Sequence, residues 1–124
     1  MPLLNNEIFL VGHSLGAIFL TKYLSENKVN KKVIGTFLIA TPYDDKTNPE
    51  PLGDFKLKYD FTKLVEQGGR AHFYQSTDDK VVPYEDFLKY KEKVPEAKYI
   101  EFTDRGHFNQ EEFPELVEDI KKIF

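Results

Sequence analysis

The 124-residue chain contains no cysteine, no tryptophan and a single methionine. Without cysteine it can form neither a disulfide nor a thiolate metal site, and it has no cysteine nucleophile. Its apolar runs are short: Ile8–Val11 and Phe37–Ala40 fall far below the roughly 20 residues that a membrane-spanning helix needs. We therefore predict a protein with no membrane partner.

Positive charge is also scarce, since 17 Lys and Arg face 21 Asp and Glu, for a net charge of −4. Neutralising phosphates requires concentrated positive charge, so we expect no nucleic-acid partner. The segment Met1–Leu4 lacks the basic start of a signal peptide, which predicts a cytoplasmic location. With 40% hydrophobic and 31% charged residues, residues 1–124 are predicted to form a single domain with a core.

Short apolar runs alternate with helical patterns along the chain. Runs that are apolar on both faces are typical of parallel strands covered by helices on each side. The alternation predicts an α/β fold of about four parallel strands with flanking helices and right-handed crossovers. The predicted strands are Ile8–Val11, Val33–Ala40, Ala71–Gln75 and Lys98–Phe102, and the predicted helices are Leu15–Leu24, Phe61–Gln67, Pro83–Lys93 and Phe113–Phe124.

One segment, Thr41–Tyr59, breaks this alternation. It is rich in proline and in polar residues and has no clear period. We predict a long loop of the kind that often borders a site. Its aromatic residues Tyr43 and Phe55 can line an acyl pocket or simply anchor the loop. Asp60 is the expected N-cap of the helix that follows.

A G-x-S-x-G pattern, Gly12–Gly16, lies directly between a predicted buried strand and a predicted buried helix. Such a sharp turn lifts the serine hydroxyl, here that of Ser14, clear of the sheet, and we expect no room for a Cβ at either glycine. The N–H of Leu15 would face a developing oxyanion. Two alternatives are a plain glycine-flanked turn and a phosphate-binding turn, although neither G-x-G-x-x-G nor Gly-Lys-Ser/Thr is present.

A serine nucleophile requires a histidine base and a carboxylate later in the chain. Candidates follow the third strand, in Ser76–Pro83, and the fourth, in Asp104–Phe108. The carboxyl ends of parallel strands share one edge of a sheet, so Ser14, Asp79 and His107 would converge there. Spacing does not separate Asp79 from Asp78, and one of these or Asp104 can instead cap a turn.

The other two histidines have different expected roles. His13 lies inside the turn and is interpreted as a supporting residue, and His72 lies within a strand and is interpreted as a packing or surface residue. No pair of histidines has the spacing of a zinc-binding helix, so we predict no metal site. Hydrolysis by a serine nucleophile needs no cofactor, and none is predicted.

Three blocks together resemble the α/β-hydrolase superfamily, and within it the small serine hydrolases of the retinoblastoma-binding-protein type. These blocks are Phe9–Gly16, Ser76–Pro83 and Gly106–Phe108. The resemblance implies a carboxylesterase-like enzyme acting on a small-molecule acyl substrate, with Ser14 as nucleophile and His107 as general base. The working aspartate of that family lies four residues before the proline, which implies Asp79.

The chain departs from this family at its start. Members of the family have further strands and helices before the turn, whereas this chain reaches the turn at Gly12. We therefore expect the C-terminal part of an α/β-hydrolase fold, in a truncated chain whose true start lies upstream of Met1 and which can be inactive. Strand 7–11 would be an exposed edge, open to self-association or to a complementing chain. The alternative function is a non-catalytic protein-interaction module that retains the fold.

Overall fold

The computed structural model describes residues 7–45 and 52–123. Strands and helices alternate as the sequence predicts, and each predicted strand and helix is present with small shifts at its ends. The elements are β1 (Glu7–His13), α1 (Leu15–Glu26), β2 (Lys32–Ile39), a 3-10 turn (Gly53–Phe55), α2 (Thr62–Gln67), β3 (Arg70–Ser76), α3 (Tyr84–Lys93), β4 (Lys98–Phe102) and α4 (Pro114–Lys121).

The four strands form one parallel sheet in the order β1-β2-β3-β4. In the register, His13 lies beside Ile39 of β2, and Ser76 of β3 lies beside Phe102 of β4. The residues that follow each strand therefore emerge along the same edge of the sheet. This confirms the predicted α/β fold class.

Each face of the sheet carries its own core. Side chains alternate between the two faces of a strand, so Phe73 of β3 joins the cluster under α1, α2 and α3, whereas Tyr74 joins the cluster under α4. The first cluster includes Ala17, Ile18, Leu24, Leu64, Phe87 and Tyr90, and the second includes Phe37, Ile39 and Phe108 with Leu116 and Ile120 of α4 packed against them.

The predicted loop 41–59 lies partly outside the described residues, which stop at 45 and resume at 52. Its aromatic residues anchor it: Tyr43 is buried against Tyr59 and Tyr90, and Phe55 packs on the same core. The prediction that Asp60 is the N-cap of α2 is wrong by one residue, because the N-cap is Phe61. Its carboxylate still accepts a hydrogen bond from the N–H of Thr62 at 3.1 Å.

Strand β1 has one strand neighbour, β2, within the described residues. Exposed apolar side chains occur on β1 and on α1, the helix that directly follows it. Val11 points to the same face as Phe9, toward α4, and is 49% exposed. On the opposite face, Leu15, Phe19 and Tyr23 form an exposed stripe along α1 at a spacing of four residues. We call this surface the β1 edge.

None of the described helices combines the length and the hydrophobicity needed to cross a membrane. The cytoplasmic location stays a prediction.

Of the packing and surface roles expected for His72, the structure shows the packing role. Its ring is buried, stacks on Phe37 at 4.8 Å between centroids, and donates through Nδ1 to the carbonyl of Arg70 at 3.2 Å. Burial disfavours the imidazolium and so lowers the pKa of His72 below its usual value, although the hydrogen bond to Arg70 opposes this shift.

The lowered pKa of His72 predicts a pH-dependent stability. As the pH falls through about 6.5, the unfolded chain binds a proton at this position while the folded chain resists it, so the free energy of unfolding decreases. We expect the melting temperature to drop less between pH 7.5 and 5.5 in His72→Phe than in the wild type, measured by calorimetry. Parallel curves for the two proteins would contradict the assignment.

Candidate active site

The turn between β1 and α1 has the strained geometry that the G-x-S-x-G pattern predicts. Ser14 has φ 57° and ψ −115°, a backbone conformation that residues other than glycine seldom adopt. Its N–H donates to the carbonyl of Ile39 at 2.9 Å, and its carbonyl accepts from the N–H of Ile18 at 3.1 Å. Although Ser14 is the N-cap of α1, its hydroxyl makes no capping hydrogen bond. The hydroxyl is therefore left for another role.

The two glycines of this turn are not equivalent, which corrects the expectation that both positions exclude a Cβ. A Cβ at Gly12 would lie 2.7 Å from the carbonyl oxygen of Gly16 and 2.8 Å from the Cα of Ala17. A Cβ at Gly16 would meet nothing within 4 Å in the described part of the chain. Gly12 is thus required by the close approach of β1 to the first turn of α1, and Gly16 is not.

Leu15 is the first residue of α1, so its N–H is among the helix donors that have no acceptor within the helix. The positive end of the helix macrodipole lies at the same point. Its side chain is 54% exposed. The N–H of Leu15 is consequently available to a negatively charged oxygen beside Ser14.

Asp79 is fixed in the turn after β3 by three hydrogen bonds. One carboxylate oxygen, Oδ1, accepts from the N–H groups of Val81 and Val82 at 2.8 and 2.9 Å. The other, Oδ2, accepts from Nδ1 of His107 at 3.0 Å. The side chain of Asp79 is fully buried, so these donors compensate the loss of its hydration. The structure thereby separates Asp79 from Asp78, which the sequence does not.

Because a carboxylate can only accept, Nδ1 of His107 carries the proton, and Nε2 is left as the basic nitrogen of the neutral ring. The side chain of His107 is 14% exposed. The structure therefore brings His107 and Asp79 into the relation expected of a base and its orienting carboxylate.

His13 links the serine turn, residues 12–16, to the histidine loop, residues 104–107. Its Nε2 donates to the carbonyl oxygen of His107 at 2.6 Å, and the two imidazole rings lie 4.8 Å apart between centroids. In the described residues no hydrogen bond joins the hydroxyl of Ser14 to His107. Such hydrogen bonds are often long before substrate binds. The contact of His13 with His107 shows that the two segments lie side by side.

Asp78 and Asp104 have different surroundings. Asp78 is exposed, and its Oδ1 accepts from the hydroxyl of Ser76 at 2.5 Å and from the N–H of Gly106 at 2.9 Å. These two hydrogen bonds hold the pKa of Asp78 below its usual value. Asp104 has a side chain that is 83% exposed and lies 3.6 Å from Arg105.

Sequence reasoning missed the residues that fix the histidine loop. The hydroxyl of Ser76 accepts from the N–H of Arg105 at 3.0 Å. The guanidinium of Arg105 packs over the ring of Phe102 and pairs with Glu115 at the start of α4. The one signal in the sequence is the row of hydrogen-bonding residues Ser76–Asp79, whose partners cannot be assigned from spacing.

No group of three His, Asp or Glu side chains that could hold a metal ion occurs within residues 7–45 and 52–123.

A family model for serine hydrolases matches residues 2–122. The chain belongs to the serine hydrolase family. It is 27% identical over 119 residues to the rat serine hydrolase RBBP9, in a match that covers 96% of this chain and 62% of the rat protein. It is 26% identical over 110 residues to the putative hydrolase YdeN of Bacillus subtilis, covering 88% of this chain and 57% of that protein. The chain thus spans about 60% of the length of these relatives.

The fold is also that of known hydrolase structures. The crystal structure of the B. subtilis ydeN gene product matches with a TM-score of 0.80 at 20% identity, over 94% of this chain and 64% of that one. A putative hydrolase from Agrobacterium vitis matches with a TM-score of 0.64 at 18% identity, over 95% of this chain and 61% of that one. At these identities the likeness concerns the fold, and it confirms the expected α/β-hydrolase architecture.

The asymmetry of the two glycines gives a matched pair of variants. Gly12→Ala should destabilise the protein by about 1–3 kcal/mol, because the new methyl group overlaps backbone atoms that cannot move independently. Gly16→Ala should be neutral or stabilise the fold by up to about 1 kcal/mol, because alanine favours the helix. Urea unfolding followed by circular dichroism measures both, and equal losses would contradict the difference in free space between the two positions.

Proposed function

We propose that the protein is a carboxylesterase-like serine hydrolase in which Ser14 is the nucleophile, His107 the general base and Asp79 the orienting carboxylate. The observation that carries this proposal is the 3.0 Å hydrogen bond between His107 and Asp79. It lies at the edge of the sheet that also bears Ser14, whose strained backbone and unused hydroxyl are those expected of a nucleophile.

In the proposed reaction the hydroxyl oxygen of Ser14 attacks the carbonyl carbon of an ester or related acyl group. Nε2 of His107 takes the hydroxyl proton, and the N–H of Leu15 donates to the oxyanion of the tetrahedral intermediate. Collapse of the intermediate expels the alcohol, which receives the proton from His107, and leaves an acyl-serine. Water, activated by the same nitrogen, then releases the acid and restores Ser14. No cofactor takes part.

Asp79 supports this proton transfer in two ways. Its hydrogen bond to Nδ1 keeps the ring of His107 in the tautomer with a basic Nε2. Its negative charge, buried and fixed by Val81 and Val82, stabilises the imidazolium that forms during attack. The proposed substrate is a small-molecule acyl compound, and the exposed apolar side chain of Leu15 beside the nucleophile favours an apolar acyl group.

Labelling with a fluorophosphonate probe tests the nucleophile. We expect the wild type to react and Ser14→Ala to lose labelling. Ser25→Ala removes a buried hydroxyl of α1 that has no hydrogen-bond partner among the described residues, and it should label normally. Asp79→Asn should lower ester hydrolysis by about 10⁴-fold, because the wrong tautomer of His107 is then favoured. Equal labelling of wild type and Ser14→Ala would refute the proposal.

A second candidate function, a protein-interaction module, is favoured by the β1 edge. We propose that the 124-residue chain pairs there with a second copy of itself. Antiparallel pairing of two β1 strands about Leu10 sets Glu7 opposite His13 of the second copy, so no like charges meet. The same two-fold axis brings both α1 stripes to one face of an eight-stranded sheet, where Phe19 and its neighbours become covered.

Light scattering after gel filtration tests this pairing. We expect a particle of twice the 14.5 kDa chain mass for the wild type and for Ser14→Ala. Val11→Lys should give a monomer, because a charge on the edge strand opposes pairing. The control is Val117→Lys, which changes a similarly exposed valine on α4. A monomeric wild type, or a dimer that Val11→Lys leaves intact, would rule out the pairing, as would capture of a different protein by the same edge.

A further inference from the structure

Two turns meet at the edge of the sheet beyond β3 and β4, and more than one hydrogen bond joins them. We call residues 76–79 the acid turn and residues 104–107 the histidine loop. Asp79 of the acid turn bonds the ring of His107, while Asp78 bonds the N–H of Gly106. Adjacent aspartates of one turn thus hold adjacent residues of the other.

We propose that Asp78 is a positioning residue for His107: its carboxylate fastens the histidine loop to the acid turn and so sets the hydrogen bond between His107 and Asp79. This role rests on the proposed function of His107 as general base. Asp78 itself touches none of the reacting groups in that mechanism.

The first support is that backbone N–H groups of the histidine loop donate to side chains of the acid turn. The N–H of Arg105 donates to the hydroxyl oxygen of Ser76, and the N–H of Gly106 donates to Oδ1 of Asp78. The hydroxyl of Ser76 in turn donates to the same oxygen of Asp78 at 2.5 Å. One carboxylate oxygen is therefore shared by both turns, and removing it leaves two donors without their partner.

The second support is the backbone of the histidine loop. Gly106 has φ +56°, in the left-handed region, immediately before His107. Phe108 also has a positive φ, of 58°, which residues other than glycine seldom adopt, so contacts of the loop rather than local preference hold this backbone. The bond from Gly106 to Asp78 fixes the peptide between Arg105 and Gly106, one residue before His107, and the bond from His13 fixes the carbonyl of His107 itself.

Three substitutions of Asp78 separate the position of the acceptor from its charge. Asp78→Asn keeps an oxygen at the same distance from the backbone without the charge, Asp78→Glu keeps the charge but moves the oxygen by one methylene, and Asp78→Ala removes both. Asp104→Ala is the matched control, because this exposed aspartate lies in the histidine loop without bonding the acid turn.

The readouts are steady-state ester hydrolysis and the ring N–H signal of His107 in proton NMR of the full chain. We expect Asp78→Ala to lower kcat about 10- to 100-fold with KM changed less than about 3-fold, because misplacing the base by a fraction of an ångström slows proton transfer without altering binding. The ring signal should broaden or disappear. Asp78→Asn and Asp104→Ala should stay within about 3-fold of the wild type, with Asp78→Glu between Asn and Ala.

A wild-type kcat and ring signal in Asp78→Ala would overturn the positioning role. A higher kcat for Asp78→Glu than for Asp78→Asn would overturn it too, because it would show that the charge at position 78 matters more than the placement of the oxygen. This comparison can be made even if Asp78→Ala does not fold. Failure of the proposed function looks different: the wild type then hydrolyses no ester and binds no fluorophosphonate, while the NMR signal still reports whether Asp78 holds His107.

Discussion

The site depends on backbone hydrogen bonds of the parallel sheet that continue one residue past the ends of β1, β2 and β3. The N–H of Ser14 donates to the carbonyl of Ile39, that of Ala40 to Tyr74, and that of Thr77 to Phe102. Each chain segment is thereby bonded to the next strand at the point where it leaves the sheet. This row of hydrogen bonds fixes the starting positions of the serine turn, the acid turn and the histidine loop, so residues far apart in the sequence are delivered to one edge.

Beyond that edge, side chains take over from the backbone as hydrogen-bond partners. Asp79 accepts hydrogen bonds from the N–H groups of Val81 and Val82 and from the ring of His107. Asp78 accepts from the N–H of Gly106 in the histidine loop, and His13 donates to the carbonyl of His107. Charged acceptors make stronger hydrogen bonds than neutral ones, which suits turns that no ladder stabilises. The polar groups of this region therefore serve the fold and the proposed chemistry together.

The parts of the structure that depend on periodicity could be predicted from the sequence. Runs such as Ile8–Val11 and the spacing of α4 identify the elements, and chain order alone places the loops after β1, β3 and β4 on one edge. The distinction between Asp78 and Asp79 could not be predicted, because it depends on how two successive side chains point from a turn. For the same reason the freedom at Gly16 follows from the direction of α1 and not from the motif.

The nucleophile turn and the β1 edge belong to the same strand, and this connects association with catalysis. Ser14 follows directly on β1, whose second side has no strand neighbour among the described residues. Leu15 contributes its N–H to the proposed oxyanion site and its side chain to the exposed stripe along α1. A polypeptide that packs on the side chain of Leu15 therefore contacts the same residue that carries the proposed oxyanion donor. The surroundings of the proposed oxyanion site are therefore set partly by what packs on Leu15. The ring of His107 is held by Asp79 on the β3 side, whereas its carbonyl is held by His13 at the end of β1.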